Sequence, residues 1–219
     1  MLRRTSDVSH FPVLIEMLES LGDAARRPAI RALEASELKR ARDVYLVECL
    51  LDALPEGRDP ESAAAVASVI RRCREAMERN GNGALSAICQ HARIRAHSIL
   101  GDMGDRSCLD DLVDLCAAEG PHMRPEVIAA LHEIGDRRSL VPLLHSYEAQ
   151  ESGAIREDIR DAFLQIARRE GIGFDSPSFA DLTASEKAIL QKFHPRPRNG
   201  NGSNGDGHRP NGVGTPLQG

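Results

Sequence analysis

Leu100-Gly101-Asp102-Met103-Gly104-Asp105-Arg106 is answered, 31 residues on, by Leu131-His132-Glu133-Ile134-Gly135-Asp136-Arg137. The copy runs on to Leu109, which falls on Leu140, and Leu100 and Met103 fall on Leu131 and Ile134. Each stretch reads as the end of an apolar helix, a Gly-Asp-Arg turn and the start of a new apolar helix. A unit of this size recurring at a fixed period is the sequence mark of a helical solenoid, in which each hairpin buries its apolar face against its neighbours. Ala130, Leu131 and Ile134 recur once more as Ala162, Phe163 and Ile166, at an offset of 32.

Apolar periodicity extends the pattern in both directions. Leu85, Ile88, Cys89, Ala92, Ala96, Ile99, Leu100 and Met103 lie three or four apart and predict one long helix. Leu109, Leu112, Val113 and Cys116 stripe the next, and Pro125 opens another with Val127, Ile128, Leu131 and Ile134. Leu140, Leu143, Leu144 and Tyr147 mark a further helix, then Ile155, Ile159, Phe163 and Ile166. Upstream, Phe11, Leu14, Ile15 and Leu18 predict a helix from near Ser9 to Leu21. A second is predicted from about Arg27 to Ala35, with Pro28 at its first position. Ser36 is expected to cap a third helix from Glu37 to Leu54. Asp59-Pro60-Glu61 opens a fourth, bearing Val66, Val69, Ile70, Cys73 and Met77 and ending at Asn80-Gly81-Asn82-Gly83.

Residues 1–171 are therefore read as one helical repeat domain and 172–194 as a cap. In the cap, Thr183-Ala184-Ser185-Glu186 forms a capping box for a short helix to Phe193. Phe174 and Phe179 are expected to fold over the open end of the stack. Residues 195–219 are read as a disordered tail: 199 to 219 hold seven Gly and four Asn, and only Val213 and Leu217 are aliphatic.

The two copied stretches resemble the short bacterial HEAT-like repeat, the type also found in phycobilin lyases. There a helix ending in Leu-x-x-Ile-Gly-Asp precedes a helix with Leu-x-x-Leu-Leu, supplied here by Leu140, Leu143 and Leu144. The likeness covers about residues 93 to 170. A fainter echo over 7 to 54 sets Arg27-Pro28-Ala29-Ile30 beside Arg124-Pro125-Glu126-Val127. The resemblance implies an all-α, right-handed solenoid of antiparallel helix pairs. It also implies a binding scaffold more often than an enzyme. A chromophore-handling role like that of the phycobilin lyases is the alternative it brings.

Composition narrows the partners. The chain has 219 residues, is 41% hydrophobic and 28% charged, and carries a net charge of −5 with 3% aromatics and no Trp. An acidic balance argues against duplex binding, which gains its affinity by neutralising phosphates. It also sets the chain apart from the HEAT-like alkylpurine DNA glycosylases, whose concave face is basic and aromatic. Five cysteines without a Cys-x-x-Cys pair lie in apolar stretches and read as reduced core residues, which points to the cytoplasm. No run of 18 apolar residues is present, so no membrane partner is expected.

Candidate chemistry is sparse. His132-Glu133 looks like one of the His-Glu dyads that hold iron in deoxyhypusine hydroxylase. Such a site needs four converging dyads, and this chain has one, at a helix end. Cys89, His91 and His97 suggest zinc, but Cys89 lies on the apolar stripe whereas both histidines lie off it as surface imidazoles, so the ligands diverge. Asp105 and Asp136 are expected to cap the helices that follow them, and Arg106 and Arg137 to bridge repeats. The basic runs Lys39-Arg40-x-Arg42, Arg71-Arg72-x-Arg74 and Arg168-Arg169 read as solvated faces. No enzyme activity and no cofactor are expected. Arg27, Arg124 and Arg156 open helices that in the resembling family line the concave side. They are the candidate contacts for another protein or an acidic peptide.

Overall fold

The computed structural model describes residues 23–54, 59–81 and 83–193, together with Val13, Glu16 and Ser20. The expected helix from Ser9 to Leu21 and the tail 195–219 lie outside the described residues, apart from those three positions. Among the described residues the fold is all-α: α1 (Asp23–Ala35), α2 (Ala41–Asp52), α3 (Pro60–Asn80), α4 (Ala84–Met103), α5 (Leu109–Glu119), α6 (Pro125–Ile134), α7 (Leu140–Ala149), α8 (Gly153–Arg169) and α9 (Ala184–Phe193). Short 3₁₀ turns at Gly120–His122, Arg137–Ser139 and Pro177–Phe179 join them. No described helix is long and apolar enough to cross a membrane.

Local chemistry sets most of these limits. Asp59 caps α3, accepting from the Glu61 and Ser62 amides at 3.2 and 3.0 Å, with Pro60 in the first turn. Ser152 caps α8 through the Ile155 amide. The α9 capping box forms as read: the Thr183 amide donates to Glu186 at 2.7 Å, and the Glu186 amide donates to the Thr183 hydroxyl at 3.3 Å. Asp105 and Asp136 accept from the Ser107 and Arg138 amides at 2.8 and 2.9 Å, holding the turns after α4 and α6.

Two expected boundaries differ. Helix α1 starts at Asp23, so Pro28 sits inside it rather than at its first position. At the sixth residue it forfeits the hydrogen bond to the Ala24 carbonyl and crowds that carbonyl with its ring. Ser36 caps nothing downstream: its hydroxyl turns back to the Ala32 carbonyl at 2.6 Å, and α2 begins only at Ala41, where Asp43 accepts from the Arg40 amide.

The helices form two layers. Helices α2, α4, α6 and α8 pack side by side in one; in the second, α1 packs on α3, and α5, α7 and α9 pack in turn. Antiparallel hairpins join the layers, α3 with α4 most extensively and α7 with α8 next. The first layer is the closer packed. At Gly101 a Cβ would lie 2.9 Å from the Ala130 Cα, so α4 and α6 touch almost backbone to backbone. A double layer bends toward its more tightly packed side, which makes this the inner layer. The stack is an all-α solenoid, and its continuous core includes Ile70, Leu100, Leu112, Leu131 and Phe163, all essentially free of solvent. Each such burial contributes about 1.5–3 kcal/mol.

The far end is closed as expected. Phe179 stacks on Phe163 with ring centroids 5.9 Å apart, and Phe193 meets Phe163 and Tyr147 edge-on at 5.2 and 4.7 Å. Phe174 packs against the same core. These rings cover apolar surface that the last hairpin would otherwise expose.

Candidate binding surface

Helix α6 has α4 and α8 on its flanks and α5 behind it, which leaves one side open. Its exposed residues Glu126, Ala129 and Glu133 are spaced three and four apart, one stripe on that side. The same register on α4 gives His91, Arg95, Ser98 and Asp102, and on α8 Asp158, Asp161 and Gln165, all exposed or half-exposed. Alternate helices in a hairpin stack run the same way, so these stripes lie in rows. Arg95, Glu126 and Asp158 occupy equivalent positions at offsets of 31 and 32. Helix α2 adds exposed Tyr45 and Asp52. Ion pairs cross between the helices: Asp52 holds Arg95 at 2.9 Å, and Glu48 holds His91 at 2.7 Å. The result is one continuous, preformed inner face with small residues, Ser98 and Ala129, along its middle.

Behind this face runs a polar network. Asp111 on α5 is 7% exposed and accepts both prongs of the Arg93 guanidinium, at 2.8 and 2.9 Å. Its second neighbour is His97, fully buried on α4, whose Nε2 meets Oδ2 at 2.7 Å. Its third is Arg74 on α3, at 3.1 Å. Burial alone would raise the Asp111 carboxyl, but the hydrogen bonds from His97 and Arg93 outweigh it and bring the group down to about 2. Burial keeps His97 below its usual value despite the Asp111 hydrogen bond. His97 is therefore neutral near pH 7 and donates from Nε2, while its buried Nδ1 meets no donor. The network continues outward from Arg93 to Gln90 at 3.3 Å, from Gln90 to Glu119 at 3.4 Å, and from Glu119 to Arg124 at 3.0 Å. One chain of polar contacts thus crosses four consecutive helices, from Arg74 on α3 to the N-terminus of α6. On the outer side it reaches a cleft of about 330 Å³ between α3 and α5, lined by Arg71, Arg74, Glu75, Glu78, Cys108 and Asp110 among others.

The three candidate arginines do not converge. Arg27 lies exposed on α1, in the outer layer, because α1 packs on α3. Arg124 stands at the start of α6, engaged by Glu119. Arg156 lies near the start of α8 with its guanidinium 5.7 Å above the Tyr147 ring. The rest of the sequence reading sorts as follows. His132 and Glu133 form an exposed pair at 2.8 Å, at a helix end. His97 is not a surface imidazole but the most buried ionisable group of the network. The Arg71-Arg72-x-Arg74 run is not simply solvated: Arg72 reaches the Ser36 carbonyl across the α1–α2 turn, and Arg74 reaches Asp111. Arg106 does bridge repeats, donating to the Ile134 and Gly135 carbonyls at 3.0 and 2.9 Å, while Arg138 rather than Arg137 pairs with Asp110 at 2.6 Å. All five cysteines are free. Among the described residues no group of three or more His, Cys, Asp or Glu is placed to hold a metal. Asp111 itself had no sequence signal beyond an acidic residue in a helix's first turn. Its burial follows from Arg93 and His97 of α4, which close over it.

Residues 82–163 match the family model of HEAT repeats, a stretch that runs from just before α4 into α8. No curated protein and no solved structure matches the chain.

Proposed function

We propose that this protein is a non-catalytic scaffold that holds a partner protein along the inner face of α4, α6 and α8. The observation that carries this reading is the continuous exposed stripe across three parallel helices, backed by a second layer and by the Asp111 network. HEAT repeats generally serve as protein-interaction scaffolds, and the matched stretch takes in most of this face. A rigid, preformed surface loses little conformational entropy on association, so more of the contact energy is kept as affinity. An acidic ligand on Arg27, Arg124 and Arg156 draws less support: one lies in the outer layer and the other two already face Glu119 and Tyr147.

The test is affinity capture from the native cell with three forms of the full chain. Ala129→Trp places a bulky ring in the middle of the inner face, and Asp114→Trp places the same ring on exposed α5. The reading expects wild type and Asp114→Trp to retain the same specific protein and Ala129→Trp to lose it, at unchanged helicity. A partner retained equally by both variants contradicts it.

A further inference from the structure

We propose that the inner face takes a lysine- and arginine-rich segment of the partner protein. This rests on the scaffold reading above and adds the partner's chemistry. Five carboxylates, Asp102, Glu126, Glu133, Asp158 and Asp161, project from the open stripes of α4, α6 and α8. Most of the basic side chains on these helices are engaged, and the exception, Arg168 at the C-terminal end of the α8 stripe, meets only the neutral Gln165. Arg95 is held by Asp52, His91 by Glu48, and Arg160 by Glu157 and Asp161. Arg124 turns to Glu119 at the rim, and Arg156 lies over Tyr147. Arg169 leaves the face altogether, donating to the carbonyls of His132, Glu133 and Gly135 at the end of α6.

By contrast, Asp102, Glu126 and Asp158 make no ion pair among the described residues. Glu126 and Asp158 are equivalent positions of successive repeats, so their charges fall on neighbouring parallel helices. Successive helices in a layer are about 8–10 Å apart, a spacing that an extended chain covers in roughly three residues. A segment lying across the helices can thus set cationic side chains over the Glu126 and Asp158 rows in turn. Ser98 and Ala129, between the acidic rows, leave room for its backbone. Complementary charge of this kind sets partner choice and association rate.

The probe is a fluorescent ten-residue peptide with Arg at every third position and Ser between, titrated by anisotropy against the full chain. The variants are Glu126→Gln with Asp158→Asn, Glu126→Lys with Asp158→Lys, and an outer-layer control, Glu75→Lys with Glu78→Lys. The control carries the same net charge change as the second variant. The proposal expects the neutral pair to weaken binding several-fold and the reversed pair about 10-fold or more, with the control close to wild type and all binding weakened by salt. Equal loss in the control reports net charge alone and overturns the proposal, as does equal binding by all forms. Binding that appears only after Arg196 and Arg198 are replaced by Ser assigns the face to the chain's own C-terminal segment and likewise overturns it. The Ala129→Trp capture separates this from the scaffold reading. A partner lost by Ala129→Trp but untouched by Glu126→Lys with Asp158→Lys keeps the scaffold and removes only the charge assignment.

Discussion

Asp111 is the residue on which three helices converge, and its protonation and neighbours make specific demands. Replacing it with Asn leaves Arg93 without its carboxylate in a largely dry site. The expected cost is about 3 kcal/mol, read from urea denaturation. The pH dependence follows from two depressed groups. The unfolded chain protonates position 97 near pH 6.5 while the folded chain resists, so stability falls as the pH drops below about 6.5. The Asp111 contribution is complete above about pH 3.9, the ordinary aspartate value, and is lost as the pH falls toward about 2. His97→Gln keeps a donor for Asp111 and removes the ionisation, so its stability between pH 7 and 5 should decline less steeply than wild type. An unchanged slope contradicts the assignment. The glycines teach a related lesson. Gly104 and Gly135 hold the same place in the repeated motif, yet Gly104 has φ +69° and Gly135 has φ −55°. Gly104→Ala should cost about 1 kcal/mol through backbone strain. Gly135→Ala meets the Leu131 carbonyl at 2.5 Å and Ile166 Cδ1 at 2.9 Å, so Ile166→Val should recover part of its larger loss. The sequence showed that both positions are Gly. It did not show that one serves a dihedral and the other a close approach.

At the scale of elements, α6 illustrates how repeats hold each other. Its C-terminal carbonyls have no partners within the helix. Arg106 reaches them from the turn after α4 and Arg169 from the end of α8, both onto the Gly135 carbonyl. Two guanidiniums at one helix end also suit its negative pole, although burial lowers the Arg169 pKa and repulsion by Arg106 adds to it. Either arginine can satisfy the Gly135 carbonyl alone, and removing one relieves the repulsion. Arg106→Ala and Arg169→Ala should therefore each cost about 1 kcal/mol or less, and the double variant more than the sum of the two. A strictly additive double-mutant cycle contradicts the shared clamp. The bridging role of Arg106 was legible because Gly-Asp-Arg recurs. That of Arg169 was not, because it lies outside the repeated motif and inside what reads as a charged surface run.

The whole molecule is a stack whose outer layer backs a continuous inner face. Its all-α solenoid character was readable from one period and the stripes around it, since helix spacing and turn residues are local properties. Which helices share a layer was not. Arg27-Pro28 echoes Arg124-Pro125, yet α1 stacks on α3 in the outer layer, because layer membership depends on counting hairpins from α2 through α4 rather than on a local match. For the same reason the inner carboxylates went unnoticed: Glu126 and Asp158 become a row only once α6 and α8 are laid side by side. The most direct test of the scaffold places a photocrosslinking amino acid at position 129 or at position 114 of the full chain in its native cell. The account predicts that one partner protein crosslinks from position 129 and not from position 114. Crosslinking of that partner from position 114 alone would contradict it.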